Sequence, residues 1–188
     1  IRDRLIVMWI KIISRRYSLY LRGNSLVSYY EGIRVPWVPT REEFIEQALD
    51  LANVGKGDIL YDLGCGDGRI VIAAAKRGAR AVCVELNPEL IKRAMTNAQA
   101  EGVDHMIRFV RDDIFRVDLS DATVVYMYLL RSVNDLLKPK LKAELKKGTR
   151  IISLDFEISG WKEVKTMRVS SPARIGTYYL YIIGLSDV

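Results

Sequence analysis

The stretch ILYDLGCGDGR, residues 59–69, decides how the rest of the chain reads. An apolar run ends at Asp62, glycines follow at alternate positions (Gly64, Gly66, Gly68), and a helical pattern starts at Arg69. Strand, glycine turn and helix make the opening unit of a doubly wound α/β sheet, where ligands bind at the carboxyl ends of the strands. A dinucleotide fingerprint would space its glycines G-x-G-x-x-G. Here the spacing is G-x-G-x-G, and Arg69 stands where the third glycine belongs. The plainer reading is a generic glycine-rich turn, with Cys65 as a small filler. The sharper one notes that Asp62 and Asp67 flank the turn; they repel a pyrophosphate and suit a ligand with a positive end.

Outward from this loop, strands and helices alternate. Residues 58–62 read as a strand, 69–77 as a helix and 80–85 as a second strand. Asn87 can cap the next helix, with Pro88 in its first position and Gly102 at its end. Residues 106–110 and 122–127 are strands three and four, 129–146 a helix, and 149–154 a fifth strand. Residues 163–169 and 177–183 are β-rich with no helix between them, which predicts an antiparallel hairpin at the sheet edge. The fold class is therefore α/β: a Rossmann-like, mostly parallel seven-stranded sheet with a C-terminal antiparallel hairpin. Upstream, Thr40-Arg41-Glu42-Glu43 has the pattern of a capping box for a first helix. Two prolines in IRVPWVPT, residues 33–40, predict an extended linker.

Charge divides the chain at the same place. Its 188 residues carry 29 Lys and Arg against 23 Asp and Glu. Residues 1–40 hold seven basic residues and two acidic ones, so the remainder is nearly neutral and offers no broad nucleic-acid footprint. The expected organisation is a basic and apolar extension with linker, residues 1–39, and a main domain, residues 40–188. Residues 1–20 read as a helix with Leu5, Trp9, Ile12 and Ile13 on one side and arginines at both ends. That pattern suits either a helix docked on protein or a peripheral membrane element. The apolar stretch is too short to span a bilayer. The chain begins with Ile1 and not Met, which leaves a start upstream open. Two cysteines cannot build a disulfide framework, which points to a reducing, cytoplasmic setting, with membrane association through residues 1–20 as an option. The single histidine, His105, has no ligand-spaced partners, so no metal site is expected.

Two further elements sharpen the ligand. Glu85 ends the second strand 19 residues after Gly66, where a carboxylate accepts from both ribose hydroxyls. Asp112-Asp113-Ile114, past the third strand, supplies a carboxylate for an adenine amino group and an apolar side chain for the ring; otherwise it is a solvated acidic turn. A nucleoside with a cationic end is S-adenosylmethionine. Thr40, Cys65 and Leu86 complete the expected cofactor set with Asp62, Gly64, Gly66, Asp67, Glu85, Asp112, Asp113 and Ile114.

Over about residues 40–188 the chain resembles the class I, seven-strand methyltransferases. The segments VPWVPT, DLGCGDGR, ATVVYMYLLRSVNDLLKPKL, GTRIIS and FEISGW resemble the archaeal broad-specificity protein-lysine methyltransferases. Those are similar in turn to the mitochondrial lysine methyltransferases that act on ATP synthase. The resemblance implies that Asp62, Gly64 and Gly66 meet the methionine end, Glu85 the ribose and Asp113 the adenine side. Residues 1–39 depart from the small archaeal enzymes.

Strand four ends in Tyr126-Met127-Tyr128-Leu129-Leu130, where methyltransferases of nucleic-acid or glutamine amino groups carry an N-P-P-Y type loop. An apolar, aromatic segment without an obvious general base suits a lysine amine, which desolvation makes easier to deprotonate. Tyr126, Tyr128, Leu129 and Trp37 are the expected acceptor pocket, the rings holding the cation; the alternative for the rings is core packing. Protein substrates with exposed lysines are the expected partners, and no nucleic acid is expected. An RNA or small-molecule methyltransferase, or a cofactor-binding module without turnover, remains open.

Overall fold

The computed structural model describes residues 37–188 and, before them, the backbone of four strand segments. The chain divides into two units, Ile1–Val38 and Pro39–Val188.

In the first unit, β1 (Trp9–Ile10), β2 (Tyr17–Arg22), β3 (Ser25–Tyr30) and β4 (Ile33–Val35) form an antiparallel sheet in that order. The helix expected over residues 1–20 is therefore corrected at Trp9–Ile10 and Tyr17–Arg22, which pair with each other as strands. The physical reason lies in composition: YSLYLR and SLVSYY are rich in tyrosine and alternate apolar with polar residues, a β pattern. The rest of that expectation, residues 1–8 and 11–16, lies outside the described residues. Among the described residues no helix is long and apolar enough to cross a membrane.

The second unit is built on seven strands. After α1 (Glu42–Leu51) come β5 (Ile59–Leu63), α2 (Arg69–Lys76), β6 (Arg80–Val84), α3 (Pro88–Ala100), β7 (Ile107–Val110), β8 (Val124–Met127), α4 (Arg131–Glu144), β9 (Arg150–Leu154), β10 (Lys165–Ser171) and β11 (Arg174–Ile182). The order across the sheet is β10-β11-β9-β8-β5-β6-β7. Five strands, β9, β8, β5, β6 and the edge strand β7, are parallel; β11 runs antiparallel to β9, and β10 antiparallel to β11, as the sequence predicts.

Alternate residues of each strand face opposite sides. Leu60, Val124, Tyr126, Ile152 and Leu154 join α1, α2 and α3 in one core. Residues of the other parity, Tyr61, Leu63, Val125, Met127 and Ile151, are also buried, so both faces are covered. α4 buries Val133, Leu137 and Leu141 and reaches the second face through Asn134, whose amide donates to Ser153 Oγ at 3.3 Å.

The capping box is a second correction. α1 has Arg41 as its N-cap, with no side-chain cap bond. Thr40 Oγ1 instead hydrogen-bonds Tyr126 Oη at 2.9 Å, so a tertiary partner replaces the local one. The Asn87 cap forms as expected, its Oδ1 accepting from the Glu89 N–H at 3.0 Å.

From β5 the chain moves outward to β6 and β7, then returns to the other side of β5 with β8. This is the switch point at which such sheets bind ligands. Leu63 pairs with Met127, so Gly64 and Tyr128 leave neighbouring strands at the same level.

Candidate active site

The loop after β5 holds its shape because glycine tolerates the left-handed backbone region. Gly64, Gly66 and Gly68 have φ of 90°, 56° and 84°. The N–H groups of Gly64 and Cys65 both donate to Val84 O, at 2.9 and 3.0 Å, which folds the loop back onto β6. Cys65 and Cys83 are joined by a disulfide, with Cα atoms 5.3 Å apart, across the same pair of strands. Cys65 is thus more than a small filler; it cross-links the loop.

Glu85 organises the loop from the next strand end. Its Oε2 accepts from Gly66 N–H at 3.0 Å and its Oε1 from Asn87 N–H at 2.8 Å. Each carboxylate oxygen retains acceptor capacity, which a pair of ribose hydroxyls can use. Burial pushes its pKa up, and the backbone donors partly offset that.

Asp62 is the site carboxylate without a protein hydrogen-bond partner among the described residues, and it is buried. Burial raises its pKa well above the ordinary range, with Glu85 and Asp67 adding like charge. A buried carboxylate beside two others, with no cation paired to it among the described residues, fits a ligand that brings one.

Asp67 has a different place. Both its oxygens are taken by Arg69, at 2.9 and 2.6 Å, and Arg69 also donates to Thr40 O at 2.6 Å. The residue at the third-glycine position therefore ties the loop to the segment before α1. Asn97 of α3 donates to Asp67 O at 3.0 Å. On the far side of β6, Asp113 is buried and accepts from Phe115 N–H at 3.0 Å. Asp112 accepts from Asp113 N–H at 2.7 Å, Ile114 is half-buried and Leu86 is buried.

On the β8 side, Tyr126 is in the core. Its hydroxyl links Thr40 to Tyr178, at 3.4 Å, and Tyr178 donates to Phe44 O at 3.3 Å. Burial holds the Tyr126 hydroxyl protonated well beyond the ordinary tyrosine range. Tyr128 is half-buried, and Arg174 donates to its hydroxyl at 2.5 Å. Leu129 packs near the loop: a Cβ built on Gly64 would lie 3.5 Å from its Cδ2. Trp37 is exposed and belongs to the first unit. His105 is exposed in a short 3₁₀ turn, Asp104–Met106.

The comparisons with known proteins agree with this geometry. Residues 62–165 match the ANTKMT methyltransferase domain. A protein-lysine N-methyltransferase of Saccharolobus islandicus is 49% identical over 152 residues, 80% of this chain and 94% of that protein. The chain belongs to this methyltransferase family. An ATP synthase lysine N-methyltransferase of Xenopus laevis is 37% identical, over 74% of this chain and 66% of that protein. A crystal structure described as an RNA methyltransferase of Salinibacter ruber with S-adenosyl-L-homocysteine has 43% identity and a TM-score of 0.74, covering 78% of this chain and 94% of that one. The chain is an S-adenosylmethionine-dependent methyltransferase, and Asp62, unpaired among the described residues, and the free acceptor capacity of Glu85 fit that cofactor.

Glu85→Ala should weaken S-adenosylhomocysteine binding by about 1.5–3 kcal/mol, or roughly 10- to 150-fold, the worth of hydrogen bonds to a charged acceptor. Isothermal titration calorimetry measures it. An unchanged affinity would remove Glu85 from the ribose site.

Proposed function

We propose that this enzyme transfers methyl groups to lysine ε-amines of protein substrates. The observation that carries this reading is the end of β8. Where amide or nucleobase acceptors need polar groups, residues 126–130 offer a buried tyrosine, a methionine, a half-buried tyrosine and two leucines. The lysine methyltransferases among its relatives support the same acceptor.

In this reading Asp62, Gly64 and Gly66 hold the methionine end of the cofactor, Glu85 the ribose, and Asp113 with Leu86 and Ile114 the adenine side. The bound cofactor supplies an electrophilic methyl on a sulfonium. The chain's own residues supply position and dryness. Tyr126 cannot act as a base, because burial keeps its proton in place. Leu129 and Tyr128 exclude water beside the glycine loop, so an entering ammonium loses hydration and more readily gives its proton to solvent. In-line approach then follows from orientation rather than acid–base catalysis.

Activity should rise with pH, by about tenfold per unit at subsaturating acceptor, while the acceptor amine remains below its ordinary pKa near 10.4. Labelled cofactor with a lysine-rich protein, followed by acid hydrolysis, tests both points. Methyl-lysine is expected. Label only in methylarginine or in a nucleoside would overturn the reading, as would binding without turnover.

A further inference from the structure

At the carboxyl edge of β8 and β9 a cation sits in a built cage. Arg174, the first residue of β11, places its guanidinium 5.7 Å from the ring centres of both Phe44 and Tyr128. The same group donates to Tyr128 Oη at 2.5 Å and forms an ion pair with Asp155. Asp155 follows β9 directly and has a left-handed φ of 64°, uncommon outside glycine and a conformation that gathers at functional sites. Its carboxylate is fixed from behind, Oδ1 accepting from Thr177 N–H at 3.1 Å. Gly176 leaves the space open: a Cβ there would lie 3.0 Å from Asp155 Oδ1, 3.1 Å from Phe44 Cε2 and 3.2 Å from Arg174 Nη2.

Two aromatic faces, a phenol oxygen and a carboxylate are the groups that recognise an organic cation. Tyr128 leaves β8 at the level of Gly64, so this cage stands on the acceptor side of the cofactor loop. Arg174 opens β11 directly after the turn from β10, near the tip of the edge hairpin, and its side chain is partly exposed.

We propose that Phe44, Tyr128 and Asp155 receive the ammonium of the acceptor lysine as it enters, before the amine moves on to the drier glycine-loop side and gives up its proton, and that Arg174 is a built-in competitor that must swing aside to admit it. This rests on the lysine reading above and adds a gate to it. Arg174 then limits acceptor affinity without touching the cofactor. Only side chains that displace a guanidinium from two rings and a carboxylate gain entry.

A synthetic peptide with a single lysine and labelled S-adenosylmethionine tests the gate. Arg174→Met should lower KM for the peptide at least threefold, with S-adenosylhomocysteine affinity unchanged. On that background Asp155→Asn should raise KM again; asparagine tolerates the left-handed backbone, so the change removes charge alone. If Arg174→Met instead lowers kcat and thermal stability with KM unchanged or higher, Arg174 is a brace and the gate is wrong. A second measurement is independent of turnover. The Arg174 Nε–Hε resonance of the wild-type protein should shift on titration with N-acetyl-lysine methylamide and not with the norleucine analogue. A wild-type enzyme that labels no lysine, yet shows this shift, would refute the acceptor assignment and leave the cation cage standing; no shift would refute the cage.

Discussion

Asp62→Asn should make the cofactor-free protein more stable at neutral pH and nearly unable to hold S-adenosylmethionine. Asp62 is buried, unpaired among the described residues, and close to Glu85 and Asp67. Its pKa in the folded chain is raised, first by burial and then by those two carboxylates. The sign follows. A raised carboxylate stabilises the fold fully below its unfolded pKa, about 3.9, and that contribution is lost as pH climbs through the folded value. Asparagine has no charge to bury, so the gap in stability between variant and wild type should widen as pH rises. The cofactor's ammonium reverses the balance, because it favours the ionised carboxylate. Affinity for S-adenosylhomocysteine should therefore rise with pH in the wild type, with proton release on binding. In Asp62→Asn that pH dependence should shrink and affinity fall at least about a hundredfold, since removing one partner of a buried ion pair costs about 3–5 kcal/mol. Denaturant unfolding at several pH values, with and without the ligand, gives both halves. A variant less stable at every pH, or one that binds normally, would show that Asp62 is structural.

Much of the second unit was legible because its signals are local. The glycine loop, the Asn87 cap and the β-rich segments after residue 154 announce themselves through residue type and spacing. The ends drifted where the tertiary environment decides. The helix read as 129–146 is Arg131–Glu144, and Thr40 spends its hydroxyl on Tyr126 rather than on its helix. In the first unit the sequence is ambiguous, because an arginine-bracketed apolar run fits a helix face as well as strands. A signal was nevertheless present: Gly23-Asn24 lies between two tyrosine-rich alternating runs, a hairpin composition.

The site divides along the same line. Asp62, Glu85 and Asp113 stand out as candidates because the topology places them at or just past strand ends, and strand ends can be read from sequence. In sequence Arg69 reads only as a missing glycine, although its bonds to Asp67 and Thr40 order the loop. Asp155, Phe44 and Arg174 carried no signal at all. Asp155 and Arg174 meet because β11 returns antiparallel along β9, and Phe44 joins them from α1. Such a cluster is a property of the folded sheet, not of any window of sequence. The disulfide between Cys65 and Cys83 is likewise invisible until β5 and β6 are seen to be neighbours.

Gly68→Ala should unsettle both the fold and the cofactor loop, and a control glycine separates the causes. Gly68 is the N-cap of α2 with φ 84°, where an L side chain costs roughly 1–2 kcal/mol. A Cβ there would also stand 2.8 Å from Ala94 Cβ and 3.2 Å from Ala94 Cα. Ala94 belongs to α3 and is fully buried, so the neighbour is a helix backbone that cannot rotate away. Forcing α2 and α3 apart adds about 1–3 kcal/mol, the usual cost of overpacking. The total of about 2–5 kcal/mol corresponds to a Tm lower by on the order of 10 °C for a domain of this size. Because Asn97 on the same helix holds Asp67 O, the shift should reach the loop and weaken S-adenosylhomocysteine binding as well. Gly148 also has a left-handed φ, 92°, but a Cβ there meets nothing within 4 Å. Gly148→Ala should thus show the backbone cost alone, with a smaller fall in Tm and unchanged ligand affinity. Thermal melts and calorimetry on both variants make the comparison. Equal losses of stability, with binding intact in each, would mean that the contact with α3 does not shape the loop.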